Sequence, residues 1–113
     1  MDLSGWTTGI SNYIRIYTPR ASTEVGVSQR HTGKAGTGFR LTPADVTAQG
    51  YNVIYLRTGY VRVEGFEIDG SGYTSAWYVR GITVFRDLSN VGDIRIDSMI
   101  IHDLHTKIGR AHV

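Results

Sequence analysis

Tyr60-Val61-Arg62-Val63-Glu64-Gly65-Phe66-Glu67-Ile68-Asp69 reads as two short strands meeting at a corner. Val61 and Val63 alternate with Arg62 and Glu64, the period of two that a half-buried strand imposes. The next apolar pair, Phe66 and Ile68, begins three residues after Val63 rather than two. Both pairs face one core only if the chain bends between them, and Gly65 sits at that point with the backbone freedom to bend. The pattern returns 33 residues later in Asp93-Ile94-Arg95-Ile96-Asp97-Ser98-Met99-Ile100-Ile101-His102. Val61 corresponds to Ile94, Arg62 to Arg95, Val63 to Ile96 and Glu64 to Asp97; Phe66 and Ile68 correspond to Met99 and Ile101, with Ser98 at the corner. A repeat of this length marks a stacked array, in which each copy buries its apolar face only against its neighbours.

Working outward, Asn12-Tyr13-Ile14-Arg15-Ile16 matches the first strand of the unit, and Phe39-Arg40-Leu41 matches the second, after a long loop insertion near 18–38. A third strand per unit is expected at Asn52-Val53-Ile54-Tyr55-Leu56 and at Gly81-Ile82-Thr83-Val84-Phe85, aligned at an offset of 29 so that Val53 meets Ile82. No stretch has a clear helical period. The expectation is an all-β chain forming a β-solenoid of about two and a half coils, with equivalent strands about 4.8 Å apart.

Three motifs carry a resemblance: Tyr60-Val61-Arg62-Val63-Glu64-Gly65-Phe66-Glu67-Ile68, Gly81-Ile82-Thr83-Val84, and Ile94-Arg95-Ile96-Asp97-Ser98-Met99-Ile100-Ile101-His102-Asp103. They resemble repeats of the pectate-lyase-like, right-handed parallel β-helix family. The likeness is close from Asn52 to Leu104 and looser from Ser11 to Gln49. It implies the right-handed parallel β-helix and an extracellular or cell-surface setting. The family includes polysaccharide lyases, glycoside hydrolases, carbohydrate esterases, phage tailspikes and surface proteins with no known reaction. It therefore leaves open whether the chain binds or processes extracellular polysaccharide or is a non-catalytic element, such as a tailspike shaft or adhesin segment. The paired-Asp, Gly-His-Gly and Arg-Ile-Lys motifs of the family's polygalacturonases are absent, and so is the arginine signature of its pectate lyases.

The chain has 113 residues, with 14 Gly, 2 Pro, 7 Tyr and no Cys. Many glycines and few prolines suit short strands joined by tight turns, and the lack of Cys excludes disulfides and thiolate metal sites. A net charge of +2 is too balanced to indicate nucleic acid as a partner. No apolar run reaches the roughly 20 residues of a membrane helix, and the start, Met1-Asp2-Leu3-Ser4-Gly5, has no signal-peptide pattern. Ile108-Gly109-Arg110-Ala111-His112-Val113 is the translation of ATCGGAAGAGCACACGTC, a common sequencing-adapter read, so 108–113 are expected to be a non-native tail. Residues 1–107 are then expected to be part of a longer β-helix with both ends uncapped, adjoining further coils, and marginally stable or aggregating when isolated.

Several constellations bear on chemistry. Stacking places Arg62 below Arg95 and Glu64 below Asp97 on the outward face. That row is either a salt-bridge ladder, each pair worth about 0–1 kcal/mol, or a sugar-binding face in which arginine grips uronate carboxylates. Stacked Glu64 and Asp97 are also the candidate oxygen ligands for Ca²⁺. Glu67 and Asp69 offer the paired carboxylates that glycoside hydrolysis requires, or are ordinary outward residues alternating with Phe66 and Ile68. His102 falls above Asp69, is a candidate hydrogen-bond partner for it, and joins Glu67, Asp69 and Lys34 as a candidate catalytic residue. His102 and His105 can face one ion only if the chain turns at Asp103. The glycine-rich run Arg30 to Gly38 fails the phosphate-loop order because Lys34 follows the first glycine. It is a plain connecting loop or an active-site loop, with Lys34 as candidate base for β-elimination. Between the second and third strands, Tyr73 and Trp77 are candidate platforms for sugar rings, or pack against the side of the stack.

Overall fold

The computed structural model describes residues 1–42, 50–71, 78–85 and 92–106. Among these the fold is all-β, with ten strands and one short 3-10 turn at Val27–Gln29. The strands are β1 (Asp2–Leu3), β2 (Ile14–Tyr17), β3 (Arg40–Leu41), β4 (Gly50–Leu56), β5 (Val61–Glu64), β6 (Glu67–Asp69), β7 (Tyr78–Val84), β8 (Ile94–Asp97), β9 (Ile100–His102) and β10 (His105–Thr106). They form three sheets, ordered β1-β4-β7-β10, β2-β5-β8 and β3-β6-β9. The chain thus visits the sheets in the same order three times before β10. All pairings between named strands are parallel except β10 with β7.

The second and third sheets have the register expected from the repeat. Ile14, Val61 and Ile94 stand in line, as do Arg15, Arg62 and Arg95, and Ile16, Val63 and Ile96. In the third sheet, Leu41, Ile68 and Ile101 stand in line, and Asp69 lies beside His102. The corners also fall where the phase slips. Gly65 has φ +91° and Ser98 has φ +54°, the left-handed conformation that lets an apolar pair resume on the same side after the bend. Thr18 takes the equivalent place one layer down. Its N–H donates to the Glu64 carbonyl at 3.1 Å, as that of Gly65 does to Asp97 at 3.2 Å, and its hydroxyl donates to the Gly65 carbonyl at 2.6 Å.

The first sheet departs from expectation by one residue. Ile54, not Val53, pairs with Ile82, and Leu56 pairs with Val84, an offset of 28. A one-residue slip exchanges the two faces of a strand. Val53 and Ile54 are consecutive and both buried, so this strand lacks the alternation that marks register elsewhere. β1 and β10 extend this sheet beyond the strands expected from the repeat.

The core is built by Val53, Ile54, Leu56, Val61, Val63, Phe66, Ile68 and Val79. Leu3, Ile14, Ile16, Leu41, Ile82, Ile94 and Met99 pack around it. Burying each branched aliphatic side chain contributes about 1.5–3 kcal/mol, which makes the β5–β6 layer, with a strand on either side, the best-covered part of the described fold. No helix among the described residues is long and apolar enough to cross a membrane.

Candidate functional site

Glu67 and Asp69 are two apart on β6, so both project from the outer face while Ile68 between them is fully buried. The parallel register sets His102 of β9 directly beside Asp69. The Gly-rich segment then folds against this face. The Phe39 N–H donates to the Gln29 carbonyl, and His31 Nε2 donates to the Ser98 carbonyl at 2.5 Å while its Nδ1 accepts from the Gly33 N–H. The Gly36 N–H reaches Glu67 Oε1 at 2.8 Å. This cover leaves Glu67 with no solvent exposure, a position a carboxylate holds only when paired and hydrogen-bonded.

His102 completes the pairing. Its Nε2 donates to Glu67 Oε2 at 2.6 Å and its Nδ1 to Asp103 Oδ2 at 2.7 Å. Asp69 lies 3.9 Å from His102 Nδ1, accepts from the Ser71 N–H at 2.9 Å and is 3.5 Å from an Arg40 nitrogen. The Gly36 N–H, followed by the His102 contact, holds the Glu67 carboxyl below its usual range. Hydrogen bonds from the Ser71 side chain and backbone do the same for Asp69. The Glu67 and then Asp103 carboxylates raise the His102 imidazole above its ordinary value. The group therefore sets the carboxylates of Glu67, Asp69 and Asp103 around an imidazole that favours its charged form. His102 keeps 32 % of its side chain exposed, so the centre opens to solvent on that side.

A second feature lies on the outer face of β2-β5-β8. Arg15, Arg62 and Arg95 occupy one position in three successive strands. The Arg62 guanidinium stacks 4.1 Å from the Tyr13 ring, which meets Tyr60 edge-on at 5.7 Å. Arg62 Nε is shielded from solvent and has no hydrogen-bond partner among the described residues. Tyr13 and Arg95 both donate to Asp93, at 3.1 and 2.8 Å.

No protein-family model, no curated protein and no solved structure matches this chain. What the chain does is read from these two faces.

The structure thus brings Glu67, Asp69 and His102 together, and Arg62 with Arg95. Glu64 and Asp97 are adjacent in register, but each has its own arginine: Arg15 lies 2.5 Å from Glu64 and Arg20 3.5 Å from Asp97. A Ca²⁺ shared by those carboxylates would compete with both guanidinium groups. Lys34 is exposed on the loop whose Gly36 caps Glu67, and its carbonyl accepts from the Thr37 hydroxyl at 2.6 Å. The chain does turn at Asp103, with φ +58°. Tyr73, Trp77 and the 108–113 tail lie outside the described residues. Arg40 and Gly36 were not singled out from the sequence as site residues. The register of Arg40 beside Glu67 was the one available signal, since Phe39-Arg40-Leu41 already aligned with Phe66-Glu67-Ile68.

Proposed function

We propose that the chain forms part of a right-handed parallel β-helix of the pectate-lyase-like kind, and that its outer face binds an acidic extracellular polysaccharide. The observation that carries this reading is the row Arg15, Arg62 and Arg95, with Tyr13 and Tyr60 beside it and Arg62 in no ion pair among the described residues. Arginines in register on strands about 4.8 Å apart, on a rigid face, suit a polymer with repeated carboxylates.

Binding is better supported than hydrolysis. A glycosidase general acid has a raised pKa so that it is protonated when the bond breaks, whereas Glu67 and Asp69 are both shifted down. The second reading, a non-catalytic β-helix element, draws on the ion pairs Arg15–Glu64, Arg20–Asp97 and Arg95–Asp93, which occupy charges a ligand would otherwise use.

Affinity electrophoresis and calorimetry with polygalacturonate, alginate and a neutral glucan separate the two. The binding reading expects retention by an acidic polymer, little by the neutral one, and about tenfold or greater weakening in Arg62→Gln, in line with a charge-assisted hydrogen bond of about 1.5–3 kcal/mol. Absence of binding across the panel, or equal binding by Arg62→Gln, rejects it in favour of the structural reading.

A further inference from the structure

We propose that Glu67, Asp69 and His102 form a mononuclear site for a divalent transition-metal ion of the zinc class. One donor atom from each of the three side chains can be chosen so that all lie within 4.8 Å of one another. The donors come from adjacent strands in fixed register, and not from side chains that merely drift together at the surface. Two of them, Glu67 and Asp69, are buried. The inference is independent of which polymer, if any, the arginine row binds.

The donor set selects the ion. One imidazole and two carboxylates suit Zn²⁺ and its first-row neighbours, whereas Ca²⁺ takes six to eight oxygens. Ligand bonds of about 2.0–2.2 Å around a tetrahedral ion put neighbouring donors a little over 3 Å apart. The His102 Nε2 to Glu67 Oε2 separation is 2.6 Å and Asp69 Oδ1 lies 3.9 Å from the same ring at Nδ1, so the ion enters by replacing the Nε2 proton, with the imidazole moving outward and the Asp69 carboxylate turning toward Nε2. His102 is the ligand with room to move, being one-third exposed.

The surroundings are arranged as an outer shell. Asp103 holds His102 Nδ1 at 2.7 Å, the carboxylate–histidine pairing that fixes a ligating imidazole in orientation and tautomer. The Gly36 N–H fixes Glu67 Oε1, leaving Oε2 toward the histidine. The Ser71 N–H fixes Asp69 Oδ1, and the ion would share the Asp69 carboxylate with Arg40, 3.5 Å from Oδ2. Three carboxylates and one guanidinium leave two negative charges around a neutral imidazole, matching a divalent cation. Three protein donors leave at least one coordination position for water or an oxygen of a bound ligand, as in open zinc sites.

The experiment uses the whole chain after stripping with EDTA. Calorimetry and elemental analysis are expected to find one Zn²⁺ per chain, with Ca²⁺ failing to compete. Co²⁺ in place of Zn²⁺ is expected to give visible absorption from coordinated nitrogen and oxygen. Asp69→Asn and His102→Ala should each weaken Zn²⁺ at least about tenfold, and Asp103→Asn about tenfold, the range for an outer-shell partner. Glu64→Gln should leave affinity unchanged. Circular dichroism checks that each variant is folded; if one is not, the other ligand variant decides, and the Co²⁺ spectrum of the unaltered chain decides if neither folds. No stoichiometric uptake, no visible Co²⁺ bands, or undiminished affinity in folded Asp69→Asn or His102→Ala overturns the site.

Discussion

Ile68 and Ile101 hold the same place in neighbouring strands of the third sheet, but Ile68 is fully buried and Ile101 is 39 % exposed. Val63 and Ile96 repeat the contrast in the second sheet, at 0 and 46 %. The residue types and local pattern are nearly the same. What differs is the presence of strands on both sides: β5 and β6 are flanked by described strands above and below, while β8 and β9 are flanked on one side. The strand supplies an apolar face, and the strands paired on either side of it turn that face into core.

The largest expected effect breaks this contrast directly. Ile68→Ala should cost about 2–5 kcal/mol and Ile101→Ala clearly less, because a cavity forms only where the surroundings enclose it. Urea midpoints of the two variants check this, and equal losses would mean that both layers are equally enclosed.

The two corners make the next comparison. Gly65 has φ +91°, and a Cβ there would run into the Thr18 hydroxyl and the Arg30 guanidinium. Gly65→Ala is therefore expected to destabilise by about 1–3 kcal/mol. Ser98, at φ +54°, already bears the strain that glycine relieves, so Ser98→Gly should be neutral or stabilising by up to about 1 kcal/mol. Opposite signs at equivalent positions are the outcome to look for in thermal unfolding.

The smallest effect is in pH. In the metal-free chain, Glu67 and Asp69 have folded values below their unfolded ones. Their stabilisation is full above about pH 4–4.5 and is lost as pH falls through the folded values. The raised His102 works the other way: its contribution is full below about pH 6.5 and is lost as pH rises through its folded value. Stability from this group should therefore be greatest at about pH 5–6.5. Urea midpoints at acid, intermediate and alkaline pH measure it, and His102→Ala should remove the alkaline decline.

Much of the fold was legible because the second and third sheets alternate apolar and polar residues and then slip by one at a corner. That slip locates Gly65 and Ser98 and ties Val61 to Ile94 without any structure. The first sheet was less legible. Val53 and Ile54 are both apolar, so a shift of one residue leaves the pattern almost unchanged, and hydrogen bonding decides the pairing of Ile54 with Ile82. The site was legible in the same measure. Asp69 beside His102 follows from the repeat, whereas Gly36 on Glu67 depends on how a long insertion folds back, for which no periodic signal exists.

The sequence by itself determined an all-β chain, the strand pairs 33 residues apart in the second and third sheets, and the places where the chain turns. These follow from side-chain alternation and backbone freedom, both local properties. Only the tertiary structure decided that Glu67 is sealed beneath the Gly-rich loop, that Asp103 and Glu67 hold His102 from opposite nitrogens, and that Glu64 and Asp97 are each matched to an arginine. Those outcomes depend on which distant segments share one outer face, and outward-facing side chains obey no period that would announce their partners.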